Sequence, residues 1–211
     1  MRVVTWNVWW RFGPWEQRQP ALHQVLAALD ADVVCLQEVW ATADTHQAEI
    51  LGDALGLHVA AAPHPGGDAG GASDVSFGNA VLSRWPIIDH DVVALPLADG
   101  RPGHRHVVVA IVDAPHGPTT VMSTHLEYPF DQSALRSRQV AALCELVAER
   151  RARDPLQSFP PIVCGDFNAV PDSDEMRSLT GQAPPPVPGL VFTDAWAAVG
   201  DGPGWTWDDR N

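Results

Sequence analysis

Four short apolar runs in this chain each end abruptly in a residue able to bind a metal, move a proton or donate hydrogen bonds. No other feature constrains the fold as much. Val3-Val4-Thr5-Trp6 ends in Asn7, and Val33-Val34-Cys35-Leu36-Gln37 ends in Glu38. Val121-Met122-Ser123-Thr124 ends in His125, and Ile162-Val163-Cys164-Gly165 runs into Asp166 and then Asn168. β-Branched runs of this length are the signature of core strands. Strands that finish in polar residues at the rim of a core are rigid arms for a site. If the last strand carries on through Asn168, its period of two places Asp166 and Asn168 on one face.

The intervening segments supply helices and further strands. Apolar spacing predicts a helix over 19–29, with Pro20 in its first turn and Leu22, Val25, Leu26 and Leu29 on one face. A second helix is expected over 43–56, stopped by Gly56, and the longest over 132–153, with Leu135, Val140, Leu143 and Val147 facing the core. A short helix is expected near 173–180. Strands are predicted over 57–62 and 190–193, and over 76–83 and 87–94 as consecutive strands around Arg84-Trp85-Pro86. Residues 107–112 and 119–124 read as a hairpin turning at His116-Gly117-Pro118. The Gly/Pro-rich stretch Pro63 to Gly71 is expected to be a mobile loop, and Pro184 to Pro188 a second loop. Strands and helices alternate early and strands pair in the middle, a pattern that leads to two packed sheets with helices outside, within one domain of 211 residues.

Composition removes several kinds of chemistry. All 13 basic residues are arginine, so a Schiff-base lysine and a P-loop are excluded. A net charge of −13 disfavours loose binding to long nucleic acid, which depends on neutralising many phosphates. It leaves room for a phosphate substrate wherever a divalent cation reverses the local charge. Cys35, Cys144 and Cys164 are odd in number, form no CxxC pair and are expected to be small buried hydrophobes. No apolar stretch reaches the roughly 20 residues of a membrane span. No secretory leader precedes the first strand, so a cytoplasmic location is the expectation.

Each polar tip has a functional and a structural reading. Glu38 suits a hard cation such as Mg²⁺, or is an exposed strand-end acid. Asp166 is able to orient or deprotonate a water and Asn168 to donate to a phosphoryl oxygen; both also favour turns and caps. His125 is a candidate to contact phosphate or protonate a leaving group, or a satisfied core histidine. Asn7 holds a metal or its neighbouring carboxylate, or simply turns the chain. A rival zinc site is His104-x-His106, whose imidazoles share a face in a strand, although Arg101 and Arg105 crowd it and no third ligand is near in sequence. Trp6, Trp9, Trp10 and Trp15 either stack a base or sugar or anchor a loop.

Taken in order, the segments resemble the endonuclease/exonuclease/phosphatase family, the DNase-I-like fold. The resemblance rests on Thr5-Trp6-Asn7-Val8, Leu36-Gln37-Glu38-Val39, Gly78-Asn79-Ala80-Val81-Leu82-Ser83-Arg84 and Ser123-Thr124-His125-Leu126. It continues through Arg136-x-x-Gln139, Gly165-Asp166-Phe167-Asn168-Ala169, Phe192-Thr193-Asp194-Ala195-Trp196 and Trp205-Thr206-Trp207. The resemblance implies a four-layer α/β/β/α sandwich with two packed mixed β-sheets. It implies hydrolysis of a phosphoester with Mg²⁺ or Mn²⁺, by in-line attack of an activated water. Carried over by position, Glu38 is the principal metal ligand with Asn7 beside it, Asp166 activates water, and Asn168 meets the transition-state oxygens. His125 engages phosphate or leaving group, Asn79 lines the cleft, and Asp194 supports. The family's substrates run from DNA and RNA to phospholipids and inositol phosphates; acidity and the lack of lysine favour a small or lipid-like phosphoester over a nucleic acid. The family's last strand with its Asp, and the Ser-Asp-His that follows, have no counterpart before Asn211. The expectation is a C-terminally truncated domain, with an impaired, binding-only domain as the alternative.

Overall fold

The computed structural model describes residues 1–62, 74–153 and 159–207. These residues form eight strands and five helices: β1 Val3–Asn7, α1 Trp15–Leu29, β2 Val33–Ala41, α2 Gln47–Leu55, β3 His58–Ala61, β4 Ser76–Ser83, β5 Ile87–Pro96, β6 Pro102–Ala114, β7 Gly117–His125, α3 Ser133–Arg153, β8 Ile162–Asp166, α4 Asp174–Leu179 and α5 Ala195–Val199. The strands make two four-stranded mixed sheets, in the orders β1-β2-β4-β3 and β5-β6-β7-β8. Each sheet has one parallel pair, β1 with β2 and β7 with β8. The links across those pairs are the helices α1 and α3, as parallel neighbours require.

Alternation along β2 explains the layers. Cys35 and Val33 face the second sheet and pack with Val81, Val108, Ala110 and Val121. Val34 and Leu36 face the other way, onto Leu22, Leu26, Ala48 and Leu51 of α1 and α2. On the second sheet, Val107, Val109 and Met122 turn outward onto Val140, Leu143 and Val147 of α3. A strand covered on both faces must be apolar throughout, which is why β2 reads as a continuous run rather than an alternating one. The result is the expected α/β/β/α sandwich of two packed mixed sheets. The sheets stack strand for strand: β1 lies against β8, β2 against β7, β4 against β6 and β3 against β5.

Several local expectations need correction. Residues 76–83 and 87–94 do form strands, but β4 and β5 belong to different sheets, so Arg84-Trp85-Pro86 carries the chain from one to the other. Helix α1 starts four residues before the predicted 19–29, so Pro20 lies in its interior. A proline there costs about 3 kcal/mol in the absence of other contacts. The extra turn is held from outside, because Arg18 donates to the carbonyls of Phe12, Trp9 and Trp10 at 3.0, 3.0 and 2.9 Å. Val25 and Leu29 of that helix are exposed, so its buried stripe is narrower than predicted. Residues 190–193 form no strand: Phe192 N donates to Leu179 O, and Leu190 anchors the segment in the apolar layer under α3. Cys35 and Cys144 are buried, whereas Cys164 is only half-buried. The Pro63 to Gly71 loop lies outside the described residues. Among the described residues no helix is long and apolar enough to cross a membrane.

Candidate active site

The four polar tips meet at the corner where β1 and β2 face β7 and β8. Asn7 is the hub. Its Nδ2 donates to Glu38 Oε1 and to Asp166 Oδ2, both at 2.9 Å. Its Oδ1 accepts from Trp9 N at 2.9 Å, which fixes the amide so that its donor faces the two acids. His125 Nε2 lies 3.8 Å from Asp166 Oδ2 and 4.0 Å from Glu38 Oε1. Two carboxylates, an amide and an imidazole thus converge from four strands.

Backbone distortions aim these groups. The ladder between β2 and β4 pairs Leu36 with Ala80 and then Val39 with Gly78, so Gln37 and Glu38 together oppose Asn79. Glu38 sits in that bulge with φ 57°, a left-handed conformation uncommon for a residue with a side chain. Bulges of this kind re-aim a side chain, here out of the strand and over Asn7. On β8, a Cβ at Gly165 would lie 2.2 Å from Thr124 O. Only glycine lets β8 approach β7 closely enough to pair His125 with Asp166. The strand stops at Asp166, so the premise that Asn168 continues it is wrong. Asn168 has φ 48°, its N–H donates to Asp166 Oδ1 at 3.0 Å, and its Nδ2 donates to Leu126 O at 3.0 Å. In this state Asn168 orients the Asp166 carboxylate and ties β8 to β7.

A layer that sequence reasoning missed lies directly below. Gln37, fully buried, donates to Ser123 Oγ at 3.1 Å, and Ser123 Oγ donates to Leu36 O at 3.1 Å. This pair bolts the two sheets together beneath Glu38 and His125. Its signal was present, as polar residues inside otherwise apolar strands, but Gln37 and Ser123 looked like parts of the runs that ended in the acid and the imidazole.

Beside His125 is a cleft lined by Asn79, His104, Arg105 and His106, with Phe77 and Gly78 on its wall. Asn79 is a buried strand residue and not a turn; its Nδ2 donates to His106 O at 2.8 Å and its N–H to His106 Nε2 at 3.2 Å. That second bond requires His106 to be neutral at Nε2, and burial lowers its pKa in agreement. His125 is lowered to about 4, first by burial and then by the positive charge of Arg105, against a smaller opposing pull from Asp166. It is a neutral imidazole at pH 7. His104 Nε2 lies 3.5 Å from Glu127 Oε2 and His106 Nε2 accepts from Asn79 N–H, so the Nε2 that each would offer a zinc ion is already engaged. Among the described residues no three of His, Cys, Asp and Glu converge as a ready-made metal cage.

The aromatic loop after β1 serves mainly as an anchor. Trp10 Nε1 donates to Ser76 O, Trp15 packs edge-on against Trp40, and the Arg11 guanidinium sits 4.6 and 4.2 Å from those two rings. Trp9 is half exposed at the rim and Trp6 is partly buried under α1 and α2. Asp194 is a cap, its Oδ1 accepting from Trp196 N and Ala197 N.

The chain is similar to several known proteins. Mouse Protein angel homolog 2 is 28% identical over 173 residues, covering 75% of this chain and 30% of that protein. Inositol phosphosphingolipids phospholipase C of Schizosaccharomyces pombe is 29% identical over 217 residues, covering 94% of this chain and 46% of that protein. The chain therefore spans less than half the length of these two relatives. The human Nocturnin catalytic domain, solved with bound sulfate, superposes with a TM-score of 0.69 at 22% identity, over 85% of this chain and 69% of that one. ANGEL2, a 2',3'-cyclic phosphatase solved with adenosine-2',3'-vanadate, gives 0.65 at 24% identity, over 84% and 56%. The sequence profile of one family matches residues 4–211, a span that takes in every strand carrying the site. By that match the chain belongs to the Endonuclease/Exonuclease/phosphatase family.

Proposed function

We propose that this chain is a divalent-metal-dependent phosphoesterase. The observation that carries the reading is the single amide of Asn7 bridging Glu38 and Asp166, with His125 Nε2 within 4.0 Å of both acids. Two carboxylates drawn to one point repel unless something positive lies between them, and a neutral amide only partly answers that need. Hard cations such as Mg²⁺ or Mn²⁺ accept one or two carboxylates and keep waters for the remaining positions, which fits a site with few protein ligands. Glu38 would hold the ion, with Asn7 beside it. When bound, the cation supplies charge neutralisation at the phosphoryl oxygen.

This chain's own residues supply positioning and proton handling. Asp166 is fixed by Asn168 N–H on one oxygen and Asn7 Nδ2 on the other, so its remaining lone pairs have a set direction for a water. His125 is neutral at pH 7 and so can donate or accept one hydrogen bond to a phosphoryl or leaving-group oxygen. Asn168 acts on the reaction by orienting Asp166. Asn79 shapes the cleft through His106. Two relatives, a phospholipase C and a 2',3'-cyclic phosphatase, support a phosphoester substrate, and the net charge of −13 favours a small or lipid-like one over a long nucleic acid.

The test is hydrolysis of an aryl phosphodiester and an aryl phosphomonoester with Mg²⁺, with Mn²⁺ and with a chelator. Turnover that stops in chelator and returns with the metal is expected. Glu38→Gln keeps the shape and removes the charge; its activity should fall by at least the roughly 100-fold that loss of an outer-shell partner costs a metal site. Activity that persists in chelator overturns the reading. Metal binding without turnover on either substrate points instead to a binding-only domain.

A further inference from the structure

We infer that Arg105 is a substrate-anion residue, whose guanidinium takes an oxygen of the phosphoryl group in the cleft it shares with His125. The inference rests on the phosphoesterase reading and deepens it.

Two arginines are buried among the described residues, Arg105 and Arg136, and they are handled in opposite ways. Arg136 spends its donors on the protein. Its Nε bonds the buried Glu175 at 2.6 Å, and its two terminal nitrogens bond the carbonyls of Glu127, Pro129 and Phe130. Arg105 is 6% exposed, yet its Nε and Nη1 have no hydrogen-bond partner among the described residues. Its nearest acid is Glu127, whose Oε1 is 3.7 Å from Nη2 and already accepts the Tyr128 N–H at 3.2 Å. The other oxygen of Glu127 faces His104. A buried, poorly paired guanidinium costs several kcal/mol, so a purely structural arginine would be expected to look like Arg136. A charge held this way, at the wall of a cleft shared with His125 and Asn79, is arranged to meet an anion.

The location suits the chemistry. Arg105 and His125 line the same cleft, and His125 Nε2 lies 4.0 Å from Glu38 Oε1 and 3.8 Å from Asp166 Oδ2. The cleft holds about 10 Å³, room for one water. The Arg105 guanidinium sits 5.9 Å from the ring of Tyr128, a side chain 66% exposed.

The experiment uses the full chain and inorganic phosphate as the probe, with binding measured by calorimetry in Mg²⁺ and again in chelator, and unfolding by urea. Arg105→Met should weaken phosphate binding at least tenfold in Mg²⁺ while stability stays level or rises, because a buried unpaired charge is gone. Arg105→Lys should restore part of the binding. A structural arginine predicts the reverse, a less stable variant that binds phosphate normally once folded, and that result overturns the inference. So does a wild-type chain that binds no phosphate in either condition. Should Arg105→Met fail to fold, Arg105→Lys decides: unchanged phosphate affinity and unchanged KM refute the assignment. If the wild type binds phosphate through Arg105 but hydrolyses nothing, the anion site stands and the catalytic reading falls.

Discussion

At the scale of single residues, the site depends on protonation states that burial enforces. His106 is the clearest case. Its Nε2 must accept from Asn79 N–H, and burial holds its pKa below the ordinary 6.5. The unfolded chain therefore takes up this proton first as the pH falls. Stability is complete above pH 6.5 and is lost progressively as the pH drops from there through the lowered folded value. His125, lowered to about 4, contributes with the same sign. Urea unfolding between pH 7.5 and 5 should show this loss, and His106→Gln should make the slope shallower without flattening it. An unchanged slope in the variant would remove His106 from the account. Residue identity was the most legible level of the sequence. Asn7, Glu38, His125 and Asp166 stand out because each breaks an apolar run. Arg105 did not stand out, because a single letter cannot show whether its donors are spent; its value appears only beside Arg136.

At the scale of elements, strands were easier to read than their partners. Period and β-branching located β2, β4, β7 and β8 to within a few residues, and the hairpin of β6 and β7 was recognised from its turn. Sheet membership was not, since Arg84-Trp85-Pro86 looks the same whether it turns a hairpin or crosses between sheets. The bulge at Glu38 and the start of α1 were also invisible, because tertiary hydrogen bonds from Arg18 and the pairing of β2 with β4 decide them. Gly165 shows how much one element controls. A methyl at that position meets the Thr124 carbonyl at 2.2 Å, and backbone cannot retreat as a flexible side chain does. Gly165→Ala should push β8 from β7, separating Asp166 from Asn7 and His125, at a stability cost of about 1–3 kcal/mol typical of overpacking. Activity should fall further than stability, since geometry at the site tolerates less displacement than folding does. The comparison of urea midpoint with kcat/KM checks this; equal, small losses in both would show that β8 tolerates the methyl and that the close approach is not needed.

At the scale of the whole molecule, the site is a joint between two sheets. Asn7 and Glu38 belong to one, His125 and Asp166 to the other, and direct hydrogen bonds join the sheets here from Asn7 to Asp166, through Gln37, Ser123 and Leu36, and from Asn79 to His106. Burial is also incomplete at this corner. Every residue of β8 is half-exposed, and β1 and β8 are the stacked outer strands of their sheets among the described residues. On the proposed function, a cation held between Glu38 and its neighbours would do more than prepare chemistry; it would strengthen the docking of one sheet on the other. Binding to the folded state alone raises stability by about 2.7 kcal/mol when the free metal is 100 times its dissociation constant. Mg²⁺ titration should raise the melting temperature of the wild type, and a chelator should reverse the rise. Glu38→Gln should melt at a temperature that no longer depends on metal. Amide hydrogen exchange locates the effect: β1 and β8 should gain protection together on metal addition, although they belong to different sheets, while β3 and β5 at the far edge should not. Protection confined to β2, the strand that carries Glu38, would mean that the ion binds one sheet only and that the joint is held by hydrogen bonds alone.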